Sequence, residues 1–199
     1  MARVSRCVRL VSIGLGTILL VSCRGPSSAL DDAPPSGAPA ASFVLPASAL
    51  PRMTSDMTAV DADGLANEVA HPDELRAVLN EAGFASAAQR SFGGGTGAFS
   101  RVLARGLSFQ TDAGATAFVE WFEANAPEEI VTAKRIAPAG LPDGVVVFRH
   151  VPDGCCHNDV PVYLAAWQRG STVLSLHVGG RRANTRAFVE LIASYDREV

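Results

Sequence analysis

Three stretches near the C-terminus of this 199-residue chain restrict its fold more than any other feature. Residues 145–151, 160–169 and 172–178 are β-branched or alternate between apolar and polar side chains, and only the turn sequences PDGCCHND and RGS separate them. The spacing predicts three strands joined by hairpins. The third strand is predicted to have a buried face with Leu174, Leu176 and Val178 and an opposite face with Val173, Ser175 and His177.

Three amphipathic segments predict helices before and after these strands. HPDELRAVLNEAGF, TDAGATAFVEWFEANAP and ANTRAFVELIASYDRE each carry apolar residues at helical spacing on one stripe. Gly83 is placed as the C-terminal cap of the first helix, Pro127 limits the second, and Asn184 caps the start of the third. SRVLARGLSF also fits a helix through Phe99, Val102 and Leu103, but Gly106 inside it and the short distance to the next helix favour a strand. This alternation predicts an α+β domain with a mostly antiparallel sheet and helices packed on it.

The first 23 residues have the plan of a bacterial export signal. Three arginines precede an uncharged apolar run over residues 10–21, which is shorter than the roughly 20 residues that cross a bilayer. The run ends in Leu-Val-Ser-Cys, which resembles the signal of bacterial lipoproteins, with a plain secretory peptide or an uncleaved anchor as the alternatives. The resemblance implies removal of residues 1–22 and attachment of acyl chains, such as palmitate, to Cys23. These chains would hold the protein on the extracytoplasmic face of the cell membrane.

The exported part divides into a tether and a single domain. Residues 23–51 hold six of the twelve prolines and few large apolar side chains, which predicts a disordered tether behind Cys23. Residues 52–199 have the usual size of one globular domain. Without the leader, 14 basic residues stand against 20 acidic ones, a formal charge of −6. A mildly acidic protein of this kind is a poor candidate for binding nucleic acid.

A set of apolar patterns resembles those of a known family. The chain combines the lipoprotein signal and the tether with LRAVLNEAGF, a strand ending in LSF, a helix with AFVEWF, and the terminal pair TVLSLHVGG and AFVELIASY. In these features, over Leu75 to Ala193, it is similar to the small actinobacterial lipoproteins with a PsbP-like fold. The resemblance implies an α/β/α sandwich around an antiparallel sheet, used for binding or assembly rather than catalysis. It carries over no functional residue.

The sequence lacks the common catalytic motifs. The glycine run RSFGGGTGAF has no lysine of a phosphate-binding loop and is followed by a predicted strand, so a hairpin or mobile loop is expected there. The chain has no Gly-x-Ser-x-Gly, Ser-x-x-Lys or His-Glu-x-x-His motif. His71 and His177 fit solvated positions, one at a helix boundary and one on a strand face. These observations predict a protein that is not an enzyme and needs no cofactor.

The sequence DGCCHND, between the first two of the three C-terminal strands, clusters residues that can bind metal. Cys155, Cys156, His157 and Asp159, with His150 across the hairpin, could form a zinc site. Structural zinc sites usually separate paired cysteines by about two to four residues, so that both sulfurs reach one ion. Adjacent cysteines do not have this spacing, and we expect no metal here.

Export would place Cys155 and Cys156 in an oxidising environment. Within one mature chain they can pair only with each other, because Cys7 leaves with the leader and Cys23 carries lipid. Adjacent Cα atoms lie about 3.8 Å apart, below the usual disulfide separation of roughly 4.4–6.8 Å, so the bridge would be strained and easy to reduce. The prediction is a vicinal disulfide that stiffens the hairpin tip, with free thiols or a bridge to a second chain as alternatives.

The sequence therefore indicates a membrane-anchored exported lipoprotein whose domain binds or assembles in the cell envelope without catalysis. Besides the membrane itself, the candidate partners are an apolar small molecule, a lipid or an envelope protein. The alternatives are a thiol redox protein that uses Cys155 and Cys156, and a purely structural envelope protein. An apolar pocket of about 300 Å³ or more would favour a small molecule, whereas a solid core would favour protein contacts.

Overall fold

The computed structural model describes residues 39–129, 133–150 and 160–199. Within these ranges, two short 3₁₀ helices, Pro39–Phe43 and Ala47–Ala49, precede seven strands and four α-helices. In chain order the elements are β1 (Thr54–Val60), α1 (Ala62–Ala66), α2 (Pro72–Glu81), β2 (Phe84–Gly93), β3 (Arg101–Phe109), α3 (Asp112–Glu129), β4 (Lys134–Ile136), β5 (Val146–His150), β6 (Val162–Arg169), β7 (Thr172–Gly179) and α4 (Thr185–Glu198).

The seven described strands form one antiparallel sheet with the order β1-β2-β3-β7-β6-β5-β4. Strands that follow each other in the chain pair on either side, and the central contact joins β3 to β7. This central contact pairs Leu103 with His177 and Arg105 with Ser175, which come from opposite halves of the chain. The predicted α+β fold with a mostly antiparallel sheet is confirmed.

Helices cover both faces of the sheet. Helices α1, α2 and α3 pack on one face, here called the α3 face, around Phe109 and Phe118. Helix α4 packs on the other face, here called the α4 face, where the ring centroids of Tyr163 and Phe188 are 5.0 Å apart. The resulting layers are those of an α/β/α sandwich. The α4 face of β7 carries its predicted buried residues, Leu174, Leu176 and Val178.

The helix ends follow the capping signals of the sequence. Gly83 comes after α2 with a φ of +68°, a conformation that suits glycine at a helix C-terminus. Asn184 caps α4, and its Oδ1 accepts a hydrogen bond from the Ala187 N–H at 3.0 Å. Helix α3 continues two residues beyond Pro127. The proline therefore lies in the last described turn of α3, where it removes a single backbone hydrogen bond.

Residues 39–50, here called the arm, pack on the α4 face, although the sequence predicted that they belong to a disordered tether. Ala40 and Leu45 in the arm are completely buried. The boundary predicted at residue 52 therefore lies too late in the chain. Few apolar residues suffice in the arm, because the sheet and α4 already provide the apolar surface that the arm covers.

Two features of the sheet and of α4 hold the arm in place. The hydroxyl of Tyr195 on α4 lies 2.7 Å from the Phe43 carbonyl oxygen and 2.9 Å from the Arg105 carbonyl oxygen, and these two acceptors share its one proton. Gly106 on β3 lets the arm approach the strand closely, because a Cβ at this position would lie 2.9 Å from the Ala40 carbonyl oxygen. Gly106, which in the sequence favoured a strand over a helix, thus also has a packing role.

The leader, Cys23 and the first part of the tether lie outside the described residues, and so do Cys155, Cys156 and the other ligands of the loop between β5 and β6. The lipid anchor and the vicinal disulfide therefore stay predictions. In the three described ranges, every helix is too short or too polar to cross a membrane.

Candidate functional site

A cavity of about 440 Å³ lies on the α3 face, between the helices and strands β3, β7 and β6. Apolar side chains from α1, α2, α3 and the loop after α1 form its walls: Leu65, Val69, Leu75, Phe118, Trp121 and Phe122. Two of these rings support each other, since the centroids of Phe118 and Trp121 are 5.9 Å apart. The cavity therefore has a firm, largely apolar wall.

One arginine fixes the part of the wall formed by α1. Arg76 on α2 donates from Nε to Asp63 Oδ1 on α1 at 2.8 Å and from Nη2 to Asn67 Oδ1 at 2.7 Å. Helix α1 has only five residues and would not hold its position alone. These hydrogen bonds keep α1 against α2, and so keep Leu65 and Val69 beside the cavity.

The floor of the cavity contains polar side chains that the strand register brings together. Gln89 of β2, Arg105 of β3 and Ser175 of β7 are consecutive partners in one cross-strand row. In the next row on the same face, Leu103 of β3 pairs with His177 of β7. A guanidinium, a hydroxyl and an imidazole thus line the bottom of an otherwise apolar cavity.

Arg105 is held in position by two neighbours. Its Nε donates to Gln89 Oε1 at 2.9 Å, and its Nη2 forms an ion pair with Glu68 at the rim. Burial lowers the pKa of Arg105 to about 10, which leaves the guanidinium charged at pH 7. Since a guanidinium has donors on all three nitrogens, the Nη1 donors of Arg105, which have no acceptor among the described residues, can serve a ligand.

His177 lies where the cavity opens to solvent. Burial lowers its pKa to about 4, and the positive charges of Arg105 and Arg101 act in the same direction. The residue is exposed and lines the wall of the cavity, and the direction of the shift predicts a neutral imidazole at pH 7. Within the described part of the chain, neither this ring nor the Ser175 hydroxyl has a hydrogen-bond partner.

A second cavity of about 560 Å³ adjoins the first, at the end of the α3 face that the described helices leave open. Asp56, Ser91 and Arg101, from β1, β2 and β3, line this cavity. Leu103 and His177 line both cavities. The two cavities therefore adjoin each other at these residues. Together they are here called the groove, with an apolar closed end under α3 and a polar open end on the bare sheet.

The groove combines apolar walls with a few polar side chains. Ser175 and His177 lie on the same strand face, and in the described structure no hydrogen bond joins them. Among the described residues, no three His, Cys, Asp or Glu side chains are grouped closely enough to hold a metal ion. A few polar groups at the end of an apolar cavity are typical of sites for small molecules.

The sequence indicated parts of the groove without identifying it. It placed Ser175 and His177 together on one face of β7, as the structure does, but assigned His177 an ordinary solvated position. It did not single out Arg105. The available signal was a charged residue in the middle of the apolar strand segment VLARGLSF, which predicts a buried guanidinium with a specific partner.

Comparison with known proteins finds a similar fold and gives no function. No protein-family model matches the chain, and no curated protein matches it. Among solved structures, the chain is similar to the extracellular domain of PknH from Mycobacterium tuberculosis, with a TM-score of 0.54 and 12% sequence identity. The similarity covers 84% of this chain and 98% of that domain. At this identity the likeness shows a shared fold alone.

Proposed function

We propose that this protein is an exported, lipid-anchored domain of the bacterial cell envelope that binds a small amphipathic molecule and does not catalyse a reaction. The observation that supports this proposal is the groove. Its closed end, about 440 Å³, lies within the range of roughly 300–1,000 Å³ that is usual for small-molecule pockets. The Nη1 group of Arg105, the Ser175 hydroxyl and the His177 ring face the apolar space and have no hydrogen-bond partner among the described residues, and a ligand would provide one.

The location rests on the leader and on the fold. The basic and apolar N-terminus ending at Cys23 supports export and lipidation, and the fold is shared with a domain described as extracellular. Mass spectrometry of the mature N-terminus tests the anchor. We expect an acylated Cys23 as the first residue, and an unmodified start further along the chain would contradict it.

Blocking the closed end of the groove tests the binding function. The full chain is expressed, purified in mild detergent and analysed by native mass spectrometry, with organic extraction of co-purified small molecules. We expect a bound small molecule in the wild-type protein. Ser175→Phe fills the cavity floor and should abolish co-purification. Thr58→Phe is the matched control, because Thr58 lies in the same cross-strand row on exposed β1 but outside the groove.

Both variants should keep the circular dichroism spectrum of the wild type. Loss of the bound molecule in Ser175→Phe alone supports the proposal. Consistent absence of any bound molecule from the wild type, in preparations from the native membrane as well, contradicts it and favours a role in protein assembly.

A further inference from the structure

The charges that line the groove are unevenly distributed. Two arginines, Arg101 and Arg105, and two carboxylates, Asp56 and Glu68, line it. Both arginines lower the pKa of His177, and no carboxylate among the described residues offsets them at that position. Glu68 is engaged with Arg105 at the rim, and Asp56 lies on β1, two strands away from β3. The charges that act on the middle of the groove at His177 are therefore those of the two arginines.

The two arginines flank a single position. They are four residues apart on the same face of β3, which corresponds to about 13 Å along the strand. Leu103 lies midway between them, and His177 is its partner on β7. Arginine side chains are long enough to reach this midpoint from both sides. The surface over Leu103 and His177 is thus also the junction between the closed and the open ends of the groove.

We infer that the ligand is an anionic amphiphile, whose carboxylate, sulfonate or phosphate group lies over Leu103 and His177 between Arg101 and Arg105, and whose apolar part enters the closed end of the groove. This inference rests on the proposed function and specifies its ligand class. Arg101 is exposed and has no ion-pair partner among the described residues, so its charge is available to the ligand. Arg105 is already positioned by Gln89 and Glu68 and offers its Nη1 donors.

A pair of fluorescent probes separates the anion from the apolar part. 1-Anilinonaphthalene-8-sulfonate carries a sulfonate, and N-phenyl-1-naphthylamine has the same aromatic body without charge. We expect the sulfonate probe to bind the wild-type protein more tightly than the neutral probe, with an affinity that falls as NaCl is added. Arg101→Gln should raise the Kd of the sulfonate probe about fivefold and change the Kd of the neutral probe less than about twofold.

Matched variants exclude indirect effects. Arg197→Gln removes an exposed arginine of α4 that has no ion-pair partner in the described part of the chain and lies on the other side of the sheet, and it should change neither Kd. Arg105→Gln should weaken the sulfonate probe more than Arg101→Gln does, because Arg105 is less exposed. Because Arg105→Gln also breaks the contact with Glu68, the melting temperature of this variant is measured as well. If Arg105→Gln does not fold, the Kd values of Arg101→Gln test the anionic ligand.

The outcomes distinguish this inference from the proposed function. The anionic ligand would be overturned if both probes bound with equal Kd values and Arg101→Gln changed neither value. If Ser175→Phe still abolished the binding of both probes, the proposed binding function would stand. No binding of either probe would overturn both. Displacement of the sulfonate probe by soluble oleate supports a free amphiphile. Binding to phosphatidylglycerol vesicles without any displacement by oleate would instead indicate recognition of lipid headgroups at a membrane and would contradict occupation of the closed end.

Discussion

The hydroxyl of Tyr195 connects the arm, the central sheet and helix α4, and its removal tests how the arm belongs to the fold. Tyr195 is completely buried, and the carbonyls of Phe43 and Arg105, at 2.7 and 2.9 Å, share its hydroxyl proton. In Tyr195→Phe the ring keeps its edge-to-face contact with Trp167, whose centroid is 5.4 Å away. The substitution therefore removes the hydrogen bonds and leaves the packing intact.

The expected loss follows from these contacts. Leaving a buried polar group without its partner costs about 1–3 kcal/mol. For Tyr195→Phe we expect a decrease of about 2 kcal/mol in the free energy of unfolding, because one hydroxyl serves two buried carbonyls. In a domain of this size, 1 kcal/mol corresponds to roughly 2–4 °C in Tm. The Tm should therefore fall by about 4–8 °C.

Tyr163→Phe is the matched control. Tyr163 is also completely buried, but the Thr185 hydroxyl, at 3.3 Å, is the single partner of its hydroxyl among the residues that the structure describes. We expect this variant to lose about 0.5–1 kcal/mol. Urea unfolding of the wild type and both variants, followed by far-ultraviolet circular dichroism, measures the difference. An unchanged stability of Tyr195→Phe, or equal losses in the two variants, would refute the view that this hydroxyl fastens the arm.

Three further perturbations test other parts of the structure. A chain that starts at residue 52 instead of residue 39 should lose at least about 3 kcal/mol of unfolding free energy, measured in urea, since truncating a buried leucine such as Leu45 alone costs about 2–5 kcal/mol. Equal stabilities of the two chains would support the boundary predicted at residue 52. Gly106→Ala should lower Tm in the longer chain but hardly in the shorter one, because its Cβ meets the arm; equal effects would mean that the arm is not the obstacle. The pKa of His177 is about 4 in the folded protein and 6.5 in its ordinary state. As the pH is lowered, the unfolded state therefore binds the proton first, and the free energy of unfolding falls between pH 6.5 and 4. The Tm of His177→Gln should fall less than that of the wild type over this pH interval. An identical fall would contradict the lowered pKa of His177.

The sequence by itself determined the local elements of this protein. Helices α2, α3 and α4 follow from apolar stripes and from the caps at Gly83 and Asn184, because helical periodicity and capping are local properties. Strands β3, β5, β6 and β7 follow from their alternation and from the turn residues between them. Strand β1, TSDMTAV, escaped this reasoning because an exposed edge strand needs no apolar alternation.

Only the tertiary structure decided the position of the arm and the existence of the groove. The arm is proline- and alanine-rich, and its burial depends on a surface that β3 and α4 create together. Arg105, Ser175 and His177 become neighbours through the pairing of β3 with β7, strands that 62 residues separate in the chain. Whether such side chains meet in a closed core or in an open groove depends on how far the helices cover the sheet. That coverage results from the packing of distant elements, and no local pattern records it.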